Sequence, residues 1–69
     1  MSRKVQFTDI GLEVQATMYV KELEEDILLG RLSYWQPWKS WIWEQELDIM
    51  MCPDCLQQVV DKGREMNKL

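Results

Sequence analysis

Cys52-Pro53-Asp54-Cys55 is the one spacing in this chain that carries a known chemistry. Two cysteines separated by two residues can face one ion across a turn and supply half of a tetrahedral zinc site. The chain contains no histidine and no second cysteine pair to supply the other half. Carboxylates such as Glu46, Asp48 or Asp54 are nearby, but thiolate and carboxylate ligands seldom mix in structural zinc sites. A two-fold homodimer would complete the set, with Cys52 and Cys55 from each copy holding one shared zinc.

The same tetrapeptide at a helix N-terminus lowers a thiol pKa, as in thioredoxin-like redox motifs. There the motif follows an early strand and most of the fold comes after it. Here only fourteen residues follow Cys55. The plain alternative is structural: free cysteine packs as a small hydrophobe. On that reading Cys52 caps a helix, and Cys55 lies on its inner face beside Leu56 and Val59.

Catalysis finds little support in the composition. General acid–base work has no imidazole, and the three glycines are too scattered for a phosphate loop. The expectation is a protein that is not an enzyme.

The second concentrated feature is aromatic. Tyr34, Trp35, Trp38, Trp41 and Trp43 fall within ten positions and include all four tryptophans. Indoles bury much apolar area and carry one N–H that needs a partner. Part of the cluster belongs in a core, but alternation along any strand or helix turns some of it outward. Exposed tryptophan is a typical interface anchor. Lys39 could stack on one of these rings. The acidic residues form two runs, Glu22/Glu24/Glu25/Asp26 and Glu44/Glu46/Asp48. These are solvated faces or, on a sharper reading, mimics of a nucleic-acid backbone.

The whole chain has 69 residues and a formal charge of −4, with a pI near 4.6. It makes one small domain, 1–69, that buries only roughly 60% of its unfolded surface. At 46% hydrophobic and 29% charged residues it has the composition of a folded protein. Its acidity opposes direct nucleic-acid binding, which needs clustered cations. Basic residues near the N-terminus precede no apolar run, and no membrane-spanning stretch exists, so the expected location is cytoplasmic.

The elements that must position these residues follow from periodicity. Residues 4–10 alternate as a strand. Leu12, Val14, Ala16, Met18 and Val20 place an apolar residue at every second position, so a hairpin is expected at 4–20. Acidic residues at 22–26, the Leu23/Ile27 pair and Gly30 as a C-cap predict a helix at 22–29. Residues 38–50 fit a strand or a helix equally well. Pro53 at a first helical position and Asp54 after it predict a helix at 53–67, with Leu56, Val59, Val60, Gly63 and Met66 on one side.

The expected fold is therefore α+β, a small single domain with an N-terminal β-hairpin and two helices. An all-α bundle is the alternative if 9–29 forms one helix. The expected function is a small acidic protein-binding module that modulates or inhibits a larger protein. Its size, acidity and apparent completeness suit accessory proteins of phages or mobile elements. Tyr34, Trp35, Trp38, Trp41 and Trp43 are the anchors, flanked by Glu24, Glu25 and Asp26. The alternative is a zinc-stabilised dimer joined through Cys52 and Cys55.

Overall fold

A computed structural model describes residues 4–68. Four antiparallel strands run β1 (Gln6–Asp9), β2 (Glu13–Val20), β3 (Glu25–Trp35) and β4 (Ser40–Gln45), in sheet order β1-β2-β3-β4. One helix, α1 (Pro53–Asn67), covers one face of this meander. The body measures 39 × 20 × 20 Å.

The expected hairpin is present, with Gln6 opposite Thr17 and Asp9 opposite Val14. Its turn is held locally. Asp9 Oδ1 accepts the Gly11 N–H at 3.0 Å, and Gly11 takes a φ of 104°, which suits glycine. The C-terminal helix also lies where its Pro53 start placed it.

The expected helix at 22–29 does not form, and neither does the all-α bundle. Residues 20–24 make a tight turn, with Leu23 N–H donating to Val20 O and Glu24 in the left-handed region at φ 53°. From Glu25 the chain runs as the longest strand of the sheet. The acidic residues that resembled a helix start are turn and strand-entry residues. Gly30 is not a cap but an interior strand residue, lying opposite Ala16 on one side and Gln45 on the other.

The pairing of β2 with β3 slips by one residue. Ala16 faces Gly30 while Thr17 faces Leu28, leaving Leu29 as the extra residue of a bulge. Leu29 is enclosed, and its carbonyl accepts the Glu46 N–H at 2.9 Å. The bulge interrupts the two-residue period in 25–35, so that stretch lacks a clean strand signature.

Along 38–50 the strand alternative holds only for Ser40–Gln45. Beyond it the chain leaves the sheet, with Asp48 left-handed at φ 62°.

The core lies between sheet and helix. Val5, Ala16, Met18, Leu29 and Cys55 form its centre, with Phe7, Val20, Trp43, Ile49 and Met51 packed around them. Val14, Leu32 and Val59 are buried too. The helix presents Cys55, Val59 and Gly63 inward, and Gly63 brings the backbone close to Leu32 Cδ2. Leu56 and Val60, expected on that face, are exposed. Cys55 packs into the same core as Ala16, and Gly63 lets the helix backbone approach Leu32.

Candidate functional site

In a meander, alternate turns fall at the same end. The β1–β2 turn and the β3–β4 turn therefore share one end of the sheet. Tyr34 and Trp35 are the last residues of β3, and a 3₁₀ turn, Gln36–Trp38, carries the chain over to β4. Pro37 is the middle residue of that turn, and Lys39 closes it in the left-handed region, with its N–H donating to Gln36 O at 3.0 Å.

Cross-strand partners share a face, so Tyr34 and Trp41 lie together on the helix side. Their rings meet edge to face, 6.0 Å apart at 70°. Trp35 pairs with Ser40 on the open side of the sheet. Trp38 stands off the end and is 73% exposed, while Tyr34 and Trp35 are each 46% exposed.

Trp41 and Trp43 are half-buried structural residues. The Trp41 N–H donates to Asn67 Oδ1 at 2.7 Å, and Asn67 Nδ2 donates back to Trp41 O at 3.4 Å. This clamp ties β4 to the last turn of α1. Trp43 covers Gly30, and its Nε1–H is buried without a hydrogen-bond partner among the described residues.

Sequence reasoning missed two members of this end. Leu12 was expected on the buried face of β2 but precedes the strand and is 92% exposed; Ile10 is exposed beside it in the turn. The hairpin expected at 4–20 already implies a turn near Asp9-Ile10-Gly11; what it does not give is that the turn extends through Leu12. Asp9 and Gly11 make 9–12 a turn rather than the start of a strand.

The acidic residues expected to flank the aromatics do not. Glu24, Glu25 and Asp26 are exposed at the opposite end of β3. Trp35 lies nine positions along β3 from Asp26, about 30 Å away. A different set of carboxylates occupies the middle of the open face. Arg31 donates to Glu46 Oε1 at 2.8 Å, and Ser33 Oγ donates to Glu44 Oε1. The hydrogen bond to Glu46, and then the charges of Glu13, Glu46 and Glu44, raise the Arg31 pKa above its ordinary value.

Cys52 and Cys55 lie at the acidic end. Cys52 is the N-cap of α1 and exposed; Cys55, in the first turn, is wholly enclosed. Their sulfurs are 3.0 Å apart, and Cys55 Sγ lies 3.5 Å from Met18 Sδ. A hydrogen bond with the Cys55 sulfur, then the backbone N–H groups of Cys55 and Asp54, hold the Cys52 thiol below its ordinary range. Among the described residues, no group of three or more His, Cys, Asp and Glu side chains converges as a metal site. Of the two sulfurs expected to hold a zinc, Cys52 reaches the surface and Cys55 does not. Among the described residues no helix is long and apolar enough to cross a membrane.

The architecture is thus a four-stranded antiparallel meander backed by one helix, with an aromatic end and a sulfur-rich, acidic end. Comparison with protein-family models, with curated proteins and with solved structures returns no match for this chain.

Proposed function

We propose that this chain is a small binding module that docks its aromatic end onto a larger protein and modulates or inhibits it. The observation that carries this reading is the presentation of Trp38. Its indole is 73% exposed on a turn braced by Pro37 and by the left-handed Lys39. A large apolar side chain held in water on a rigid turn loses little further freedom on binding. Tyr34, Trp35, Ile10 and Leu12 add exposed apolar surface at the same end. A cluster of this kind is the composition of an interface centre.

The acidic turn at the far end keeps the module soluble, and its charge steers the whole body toward a basic partner. A module of this size and charge suits an accessory protein of the kind phages and mobile elements encode.

The test is capture of the partner from an extract of the native cell, followed by titration of the purified pair. Trp38→Ala and Trp35→Ala should each weaken binding by about 2 kcal/mol or more while circular dichroism stays unchanged. Equal affinity for wild type and both variants would remove the aromatic end from the interface.

A further inference from the structure

The chain has five methionines and two cysteines. Three of those methionines and both cysteines line a single cavity of ≈ 420 Å³: Met18, Met50, Met51, Cys52 and Cys55. These residues come from three separate parts of the chain. Met18 lies on β2, Met50 and Met51 in the segment after β4, and the cysteines at the start of α1. Among the described residues the cavity is lined by sulfur-bearing side chains alone, with no carboxylate.

We propose that this cavity binds one Cu(I) ion within a single chain, through the thiolates of Cys52 and Cys55 and the thioether of Met18. Thiolate and thioether donors together select soft monovalent copper, whereas imidazole and carboxylate serve the harder divalent ions. Zinc seeks four strong ligands, and one chain offers two thiolates here. Cu(I) accepts low coordination numbers and is satisfied by two thiolates with a thioether beside them.

The geometry suits this assignment. Cys52 and Cys55 sulfurs lie 3.0 Å apart, and Met18 Sδ is 3.5 Å from Cys55. Metal–sulfur bonds of about 2.3 Å let one ion bridge the pair after the sulfurs part modestly. Cys52 is exposed and free to make that adjustment, and it is the sulfur an incoming ion meets first. Met50 and Met51 flank it, with Met50 93% exposed. Binding converts two thiols to thiolates and releases two protons to solvent; the copper remains Cu(I) throughout. The site lies at the end of the sheet away from Trp38, so it stands or falls independently of the aromatic interface.

The experiment is an anaerobic titration of the fully reduced protein with Cu(I) supplied as its bathocuproine disulfonate complex, with Zn(II) titrated in parallel. The expected result is one Cu(I) withdrawn per monomeric chain, seen by loss of chelator colour and by native mass spectrometry. Cys52→Ser should weaken Cu(I) by about 100-fold or more, beyond what loss of an outer-sphere partner costs. Met18→Leu should weaken it by about 10-fold. Cys55 is enclosed, so Cys55→Ser risks the fold; the exposed Cys52→Ser variant, with unchanged circular dichroism, carries the test. Copper left wholly on the chelator would overturn the proposal. So would a Cys52→Ser protein that binds like wild type, or half a zinc per chain on a dimer that copper does not displace.

Discussion

Gly30 lies directly beneath the indole of Trp43. A Cβ at position 30 would come within 2.8 Å of two ring carbons, Cη2 and Cζ2, and closer still to the carbonyl oxygen of Glu44. The glycine is there because the tryptophan on the neighbouring strand covers it, an aromatic side chain filling the space a side chain would otherwise take.

Gly30→Ala should therefore destabilise the protein by about 1–3 kcal/mol, although alanine is the better strand residue in open space. Urea denaturation reads this as a lower midpoint at an unchanged slope. A midpoint equal to or above wild type would show that Trp43 does not sit where described.

Trp43 carries two opposing contributions, since its ring fills the core while its Nε1–H is buried without a partner. Trp43→Phe removes the unsatisfied donor with part of the area and should fall within about 1 kcal/mol of wild type. Trp43→Ala should cost about 3–5 kcal/mol. A large loss in the phenylalanine variant would mean that the indole N–H has found a partner.

Asn67 clamps the last turn of α1 to the Trp41 backbone through two hydrogen bonds. Asn67→Ala leaves the Trp41 N–H without that partner and should cost about 1 kcal/mol. Amide exchange at Trp41 should quicken by more than exchange at Leu29, which lies in the bulge at the sheet's centre.

Leu12→Ser tests where β2 begins. At 92% exposure the side chain contributes little to folding, and stability should stay within about 0.5 kcal/mol of wild type. A buried strand leucine would cost several times more. Partner binding at the aromatic end is the property this variant should weaken.

The Cys52 thiol is held below its ordinary range, first by the hydrogen bond with Cys55. Iodoacetamide at neutral pH should label Cys52 faster than a free cysteine and leave Cys55 unlabelled until the protein unfolds. The linkage has a definite sign. A depressed thiol pKa adds stability that is complete above the unfolded thiol's range and is lost as pH falls through the folded value. Equal labelling of both cysteines would contradict the enclosure of Cys55.

Local chemistry alone determined the parts of this protein that depend on near neighbours. The alternation of Val14, Ala16, Met18 and Val20 specifies β2, and Pro53 with Asp54 specifies the start of α1, because each is set by residues a few positions apart. The Tyr34–Trp43 cluster and the Cys52/Cys55 pair are likewise visible in the linear order as places of interest. Long-range packing decided the rest. Glu22 to Gly30 has the local marks of a helix, yet Glu25–Trp35 is held as a strand by pairing on both sides and by Trp43 closing over Gly30. Gly30 and Trp43 lie thirteen positions apart, beyond the few residues over which a cap or a helix start is read. The same holds for function: which indoles reach water, and that Met18 meets Cys55, depend on contacts across 37 residues of sequence. Side-chain patterns report the immediate backbone preference, whereas burial and sulfur clustering are set by which distant elements pack together.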